Sequence, residues 1–204
     1  MKVEIGFLAL AFLGGMATQD QLDGERIEWI DYGEDIMGNP EFMKDWIASA
    51  TPGAEHKKLA AHAGKWNVGG KMWMEPEGEP MASVGTSEIR MVLGGRFQIE
   101  EFNSEFMGQP FEGMLIQGYS NLHEQSFHIW IDNMSTWPSI AWGARGEDGV
   151  IATEGKMYDV MTPAGRPTRT RQIDNKDGSR TMEMFDTIQD GTQFKVMEYI
   201  YSRE

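Results

Sequence analysis

From residue 65 to the end of the chain, apolar and polar side chains alternate in short runs that turn residues interrupt at intervals of about ten. A period of two is the signature of a strand with one face buried. The runs fall at 65–75, 82–93, 96–106, 111–119, 125–133, 140–145, 150–158, 168–174, 180–188 and 193–203. Pro76-Glu77-Gly78, Gly94-Gly95, Gly108-Gln109-Pro110, Asn175-Lys176-Asp177-Gly178 and Asp190-Gly191 stand between them, and Asp-Gly is a strong hairpin signal. About ten evenly spaced strands without helices between them predict an all-β, up-and-down antiparallel barrel. Eight strands already leave room for one small ligand, so roughly ten predict an enclosed cavity. The sequence leaves open which strand faces point inward.

The residues before this pattern differ. Lys2 precedes an apolar run, Ile5 to Leu13, and Gly15-Met16-Ala17 places small residues where a signal peptidase cuts. This predicts a signal peptide over 1–17, and with it export to the periplasm or the outside. Glu4 is out of keeping with that pattern. The run is too short to span a bilayer, so no stable membrane insertion is expected after processing. Residues 18–35 carry Asp20, Asp23, Glu25, Glu28, Asp31, Glu34 and Asp35 against Arg26 alone. A segment this acidic builds no core, and 18–52 reads as an acidic spacer. It contains a short helix: Asn39 is the N-cap, Pro40 and Glu41 fill the first turn, and Phe42, Met43, Trp46 and Ile47 follow at helical spacing. Thr51-Pro52 reads as the start of a second helix that Gly64 ends. The barrel domain is then 53–204.

Composition narrows the function classes. A net charge of -14 repels phosphate backbones, so nucleic acid is not an expected partner. The absence of cysteine removes disulfides, thiolate metal sites and thiol nucleophiles together. Sixteen methionines fit an adaptable apolar pocket, or plain core filling.

Several short motifs carry a resemblance. They are His56-x-x-Leu59 running into Gly64-Lys65-Trp66, then Leu93-Gly94-Gly95-Arg96-Phe97 and Gly108-Gln109-Pro110-Phe111-Glu112-Gly113. Gly118-Tyr119, Trp130-Ile131-Asp132-Asn133-Met134 and Tyr201-x-Arg203 complete the set. Together they resemble the DUF1579 domain family, an uncharacterised bacterial family, over about residues 55–203. Ser120 stands where members of that family tend to carry Asp. The resemblance implies a lipocalin-like (calycin-like) barrel and assigns no activity. Gly64-Lys65-Trp66 is also similar to the Gly-x-Trp opening of lipocalin-type barrels, whose tryptophan plugs the closed end against an arginine. Arg203, at the other end of the barrel sequence, is the expected partner of Trp66, through guanidinium stacking on the indole.

The strand Phe127 to Asp132 places His128, Trp130 and Asp132 on one face. A histidine and a carboxylate flanking a tryptophan fit a polar spot in an apolar cavity, or an outward half-wet face. His128 and Asp132 lie roughly 13 Å apart on an extended strand, too far for a catalytic dyad. Glu100, Tyr119 and Gln98 are further polar candidates. Arg169 and Arg171 alternate on a late strand, with Glu183 and Glu198 on the next two. They form outer-wall ion pairs, or they take a ligand carboxylate if they point inward. No metal is expected: His56 and His62, six residues apart, do not share a helix face, and no His-x-His occurs. Haem-binding barrels of this broad type use a late histidine, and none follows His128 here, so no cofactor is expected. No nucleophile elbow or phosphate loop is present.

Three functions follow from this. The first is a barrel that binds or carries a small apolar or amphiphilic molecule, with an open cavity lined by methionine and aromatic side chains. The second is an accessory or structural protein with a filled barrel that acts through partners. The third, an enzyme with Asp132, Glu100 or Tyr119 as acid or base, calls for a carboxyl of raised pKa deep in the pocket. No oligomeric state follows from the sequence.

Overall fold

The computed structural model describes residues 30–33 and 35–204; the expected signal peptide and most of the acidic segment lie outside them. The chain divides into two compact units, one ending at Lys44 and one covering Asp45–Glu204.

In the first, a 3-10 turn (Ile36–Gly38) is closed by Asp35, whose Oδ1 accepts from the Gly38 amide at 3.1 Å. Helix α1 (Pro40–Ala50) starts there. Asn39 Oδ1 accepts from the Glu41 and Phe42 amides at 2.8 and 3.2 Å, satisfying two donors that a helix start leaves free.

The second unit holds the end of α1, helix α2 (Ala54–Ala60) and ten strands. These are β1 (Gly64–Met72), β2 (Met81–Val92), β3 (Phe97–Phe106), β4 (Gln109–Ser120) and β5 (Gln125–Asp132). β6 (Ser139–Arg145), β7 (Ile151–Met157), β8 (Arg166–Asp174), β9 (Arg180–Thr187) and β10 (Gln193–Arg203) follow. Each strand pairs antiparallel with its sequence neighbours, and β1 pairs with β10, so the sheet closes into a barrel. The seam register is Trp66 opposite Arg203 through Met72 opposite Met197.

Two expectations around α2 change. Thr51 does not cap it: its hydroxyl donates back to the Ile47 carbonyl at 2.6 Å and so belongs to the end of α1. Gly53 is the N-cap, and its amide donates to His56 Nδ1 at 3.1 Å. Nor does Gly64 end this helix. It opens β1 at φ +134°, where an added Cβ would lie 2.7 Å from Arg203 Nη1. The glycine is there so that the arginine can cross the chain.

The core sits at the end of the barrel where β1 begins and β10 ends. Trp66, Val68, Ile89, Phe102, Tyr199 and Tyr201 form one buried cluster, with Trp130, Met182 and Met197 packed against it. The Phe102 and Tyr199 rings stack at 5.5 Å, and Trp130 lies edge-on to Phe102 at 6.2 Å. Two glycines make room for these rings. A Cβ on Gly70 would lie 2.2 Å from the Tyr199 ring, and one on Gly113 would lie 2.3 Å from that of Trp130.

Candidate functional site

The barrel encloses a cavity of about 350 Å³, within the range of small-ligand sites. Its closed end is built around Trp66. The Trp66 Nε1–H donates to the His62 carbonyl at 2.9 Å. The Arg203 guanidinium lies 4.3 Å from the Trp66 ring centroid, and that of Arg180 lies at 5.9 Å. Arg203 also donates to the Ala61 and Ala63 carbonyls at 2.6 and 2.8 Å, tying the residues after α2 to the last strand.

Above this plug the lining is polar. Glu100 and Tyr201 border the cavity together with Arg180, Gln172 and His128. Glu100 Oε1 accepts from Ser87 Oγ at 2.8 Å. Burial pushes the Glu100 carboxyl above the usual carboxylate range, against the pull of Arg180 and of hydrogen bonds from Ser87 and Tyr201. Burial likewise raises the Tyr201 hydroxyl, and the neighbouring Glu100 adds to the shift. His128 is pushed down to about 4 by burial, so its ring is neutral at physiological pH. Its Nδ1 lies 3.3 Å from Thr153 Oγ1. A buried glutamine row, Gln98 to Gln117 at 3.4 Å and Gln117 to Gln172 at 2.8 Å, links β3, β4 and β8 across the interior.

Toward the mouth the lining becomes apolar, with Met72, Phe106, Phe111, Met184, Met197 and Trp137. The loops that follow carry exposed apolar side chains: Met74, Met107, Met134, Val160 and Met161. Arg166, at the start of β8, is taken up by protein carboxylates. Its Nη2 and Nε donate to the Asp186 carboxylate at 2.6 and 2.7 Å, and it also pairs closely with Asp159. That pairing holds the Asp159 carboxyl at about 2.

Among the residues singled out from sequence, Glu100, His128, Trp130 and Asp132 border this one cavity. Asp132 is fully engaged there: Oδ2 accepts from Trp130 Nε1 at 2.8 Å and Oδ1 from the Met134 amide at 3.0 Å. These two bonds hold the Trp130 ring over Gly113. Tyr119 does not border the cavity. It lies beyond the glutamine row, at the α2 end, with its ring 6.0 Å from His56. Arg171 points outward. It sits directly opposite Glu183 on β9, with Nη1 2.7 Å from Oε2, and so forms a wall ion pair rather than a ligand contact. Gln98 is fully buried in the glutamine row. Arg180 and Gln172 carry no signal in the sequence, and Tyr201 enters it only through the Tyr201-x-Arg203 motif; their inward positions emerge only with the register. No group of three or more metal-ligating side chains occurs among the described residues.

An antiparallel ten-strand barrel with a polar floor and an apolar mouth places this chain among single-chain barrels with an interior cavity. Within that class it belongs to the family described as "Protein of unknown function (DUF1579)", whose model matches residues 51–203. No curated protein matches the chain.

Proposed function

We propose that the barrel binds and carries a small apolar or amphiphilic molecule. The observation that supports this is the cavity of about 350 Å³, whose outer half is walled by methionine and aromatic side chains. Methionine side chains adapt to irregular apolar shapes, and aromatic rings bury large area at low entropic cost. The exposed Met74, Met107, Met134, Val160 and Met161 give the mouth an apolar rim, which suits exchange of such a molecule with another apolar surface.

Native and denaturing mass spectra of protein purified from its natural host test this reading. A reproducible extra mass that leaves on denaturation supports it. A clean unliganded mass, together with no uptake of the neutral fluorophore N-phenyl-1-naphthylamine, rejects it and favours an accessory role through protein partners.

One observation favours a second reading. Glu100 is a buried carboxyl with a raised pKa in a cavity, as a general acid requires. Proton transfer to a bound substrate would then make Glu100→Gln inactive without loss of binding.

A further inference from the structure

Arg180 is 8% exposed, yet neither its Nε nor its Nη1 has a hydrogen-bond acceptor. Its nearest carboxylate is Asp174, 3.5 Å from Nε, and Asp174 is shared with His62 at 2.9 Å and Arg145 at 3.9 Å. The guanidinium is otherwise held by ring faces, 5.5 Å from Tyr201 and 5.9 Å from Trp66. A guanidinium carries five donors and normally fills most of them when buried. Here it borders the cavity beside Glu100 and Tyr201, at the polar end of a tube whose other end is apolar.

We infer that Arg180 is the anchor for the acid head group of an amphiphile, which enters head first and leaves its tail among Met182, Met184, Met197 and the mouth aromatics. This rests on the carrier reading and names its ligand class. The charges set the form of the bound acid. A ligand carboxylate beside an ionised Glu100 would place two negative charges against one guanidinium. With one proton shared between the two carboxyls, a single negative charge faces Arg180. The groups around Glu100 are Ser87 on β2, Arg180 on β9, Tyr201 on β10 and His62 before β1. A cavity of this volume holds roughly a dozen water-sized groups at about 30 Å³ each, which fits a medium-length chain. Lys156 is the other cation on the lining, and it lies at the mouth end of β7.

The test is calorimetric titration of the full chain with decanoic acid, 1-decanol and decylamine. Arg180→Gln, Arg180→Lys and Lys156→Gln are titrated in parallel. The expected result is decanoate binding at least tenfold tighter than decanol, with decylamine weakest. Arg180→Gln should remove the preference for acid, Arg180→Lys should keep part of it, and Lys156→Gln should leave it intact. If Arg180→Gln does not fold, the ranking of the three head groups on the natural chain decides. Decanol or decylamine binding as tightly as decanoate overturns the inference and leaves the carrier reading standing. A preference lost in Lys156→Gln but kept in Arg180→Gln overturns it too, since the head group would then sit at the mouth. If none of the three probes binds, the inference falls, and the native mass spectra with N-phenyl-1-naphthylamine uptake decide separately whether the carrier reading stands.

Discussion

Arg203 covers the outer face of Trp66 at 4.3 Å and hands its two terminal nitrogens to the carbonyls of Ala61 and Ala63. One side chain thus joins the last strand, the first strand and the segment after α2. Charged hydrogen bonds of this kind contribute about 1.5–3 kcal/mol, and the stacking on indole adds roughly 0.5–1 kcal/mol. Because Arg203 is solvent-exposed, the lower part of that range applies. Arg203→Ala should lower the unfolding free energy by about 2 kcal/mol in urea titration. Ligand affinity should be unchanged, since Arg203 does not border the cavity.

Gly113→Ala tests how Trp130 is seated. The new Cβ would lie 2.3 Å from an indole that Asp132 holds by its Nε1–H. The ring must swing into the cavity, at a cost of about 1–3 kcal/mol for overpacking. The expected readout is a shifted tryptophan emission with weaker uptake of apolar probes. Unchanged emission and affinity would mean that the ring has room the packing does not show.

Glu100 and His128 set opposite slopes of stability against pH. Burial raises Glu100 in the folded state, so the folded chain holds that proton more firmly than the unfolded one. The contribution is present in full below the unfolded value and is lost as pH rises through the folded one. Glu100→Gln should therefore have a higher Tm than the natural chain at pH 8, and the gain should shrink as pH falls toward the ordinary carboxyl range.

His128 works the other way. Its pKa falls from 6.5 to about 4 on burial, so its contribution is present above 6.5 and lost as pH falls toward 4. His128→Gln should flatten that acid limb, which spans up to about 3 kcal/mol. Thermal melts between pH 4 and pH 7 measure it, and an acid limb as steep as that of the natural chain would contradict the assignment.

Arg171→Met is the counterpart of the Arg180 variants. Its partner Glu183 also meets Lys195 at 3.2 Å, so the wall keeps one ion pair. Ion pairs on a protein's outer surface contribute about 0–1 kcal/mol, and this half-buried one leaves Glu183 still paired with Lys195. The expected change in stability is that small, with no change in ligand affinity by calorimetry.

The export reading has its own check. Processing after Ala17 would leave Thr18 as the first residue, and an intact-mass measurement on protein purified from its host distinguishes that from the full chain.

The strands were legible because period two survives wherever one face is apolar, as on β1, where Trp66 and Val68 alternate with Lys65 and Asn67. Register was not legible on β8, because both faces are polar there. Thr168, Thr170 and Gln172 point inward, and Arg169 and Arg171 point outward. With no contrast between the faces, nothing local told Arg171 from an interior arginine. Arg180 follows the tight turn ending at Ser179 and reads as an ordinary strand start. The signal that marks it is shared parity with Met182 and Met184, opposite Tyr201 and Tyr199. Tyr119 has the inward parity of β4 but lies past Gln117, beside His56 of α2 and off the cavity lining. Strand parity gives the face, while depth along the barrel depends on how the strands are staggered, which no single strand encodes.

The seam between β1 and β10 also governs how the protein can be made. Trp66 emerges from the ribosome 137 residues ahead of Arg203, so the first strand must wait for nearly the whole barrel before its partner exists. Pairings this distant in the chain are slow to form. Until the ring shuts, β1 presents an unsatisfied ladder of amides and carbonyls to any extended chain nearby. Loss of the final strand would therefore do more than open the plug: it would leave a permanently adhesive sheet, prone to association between nascent copies.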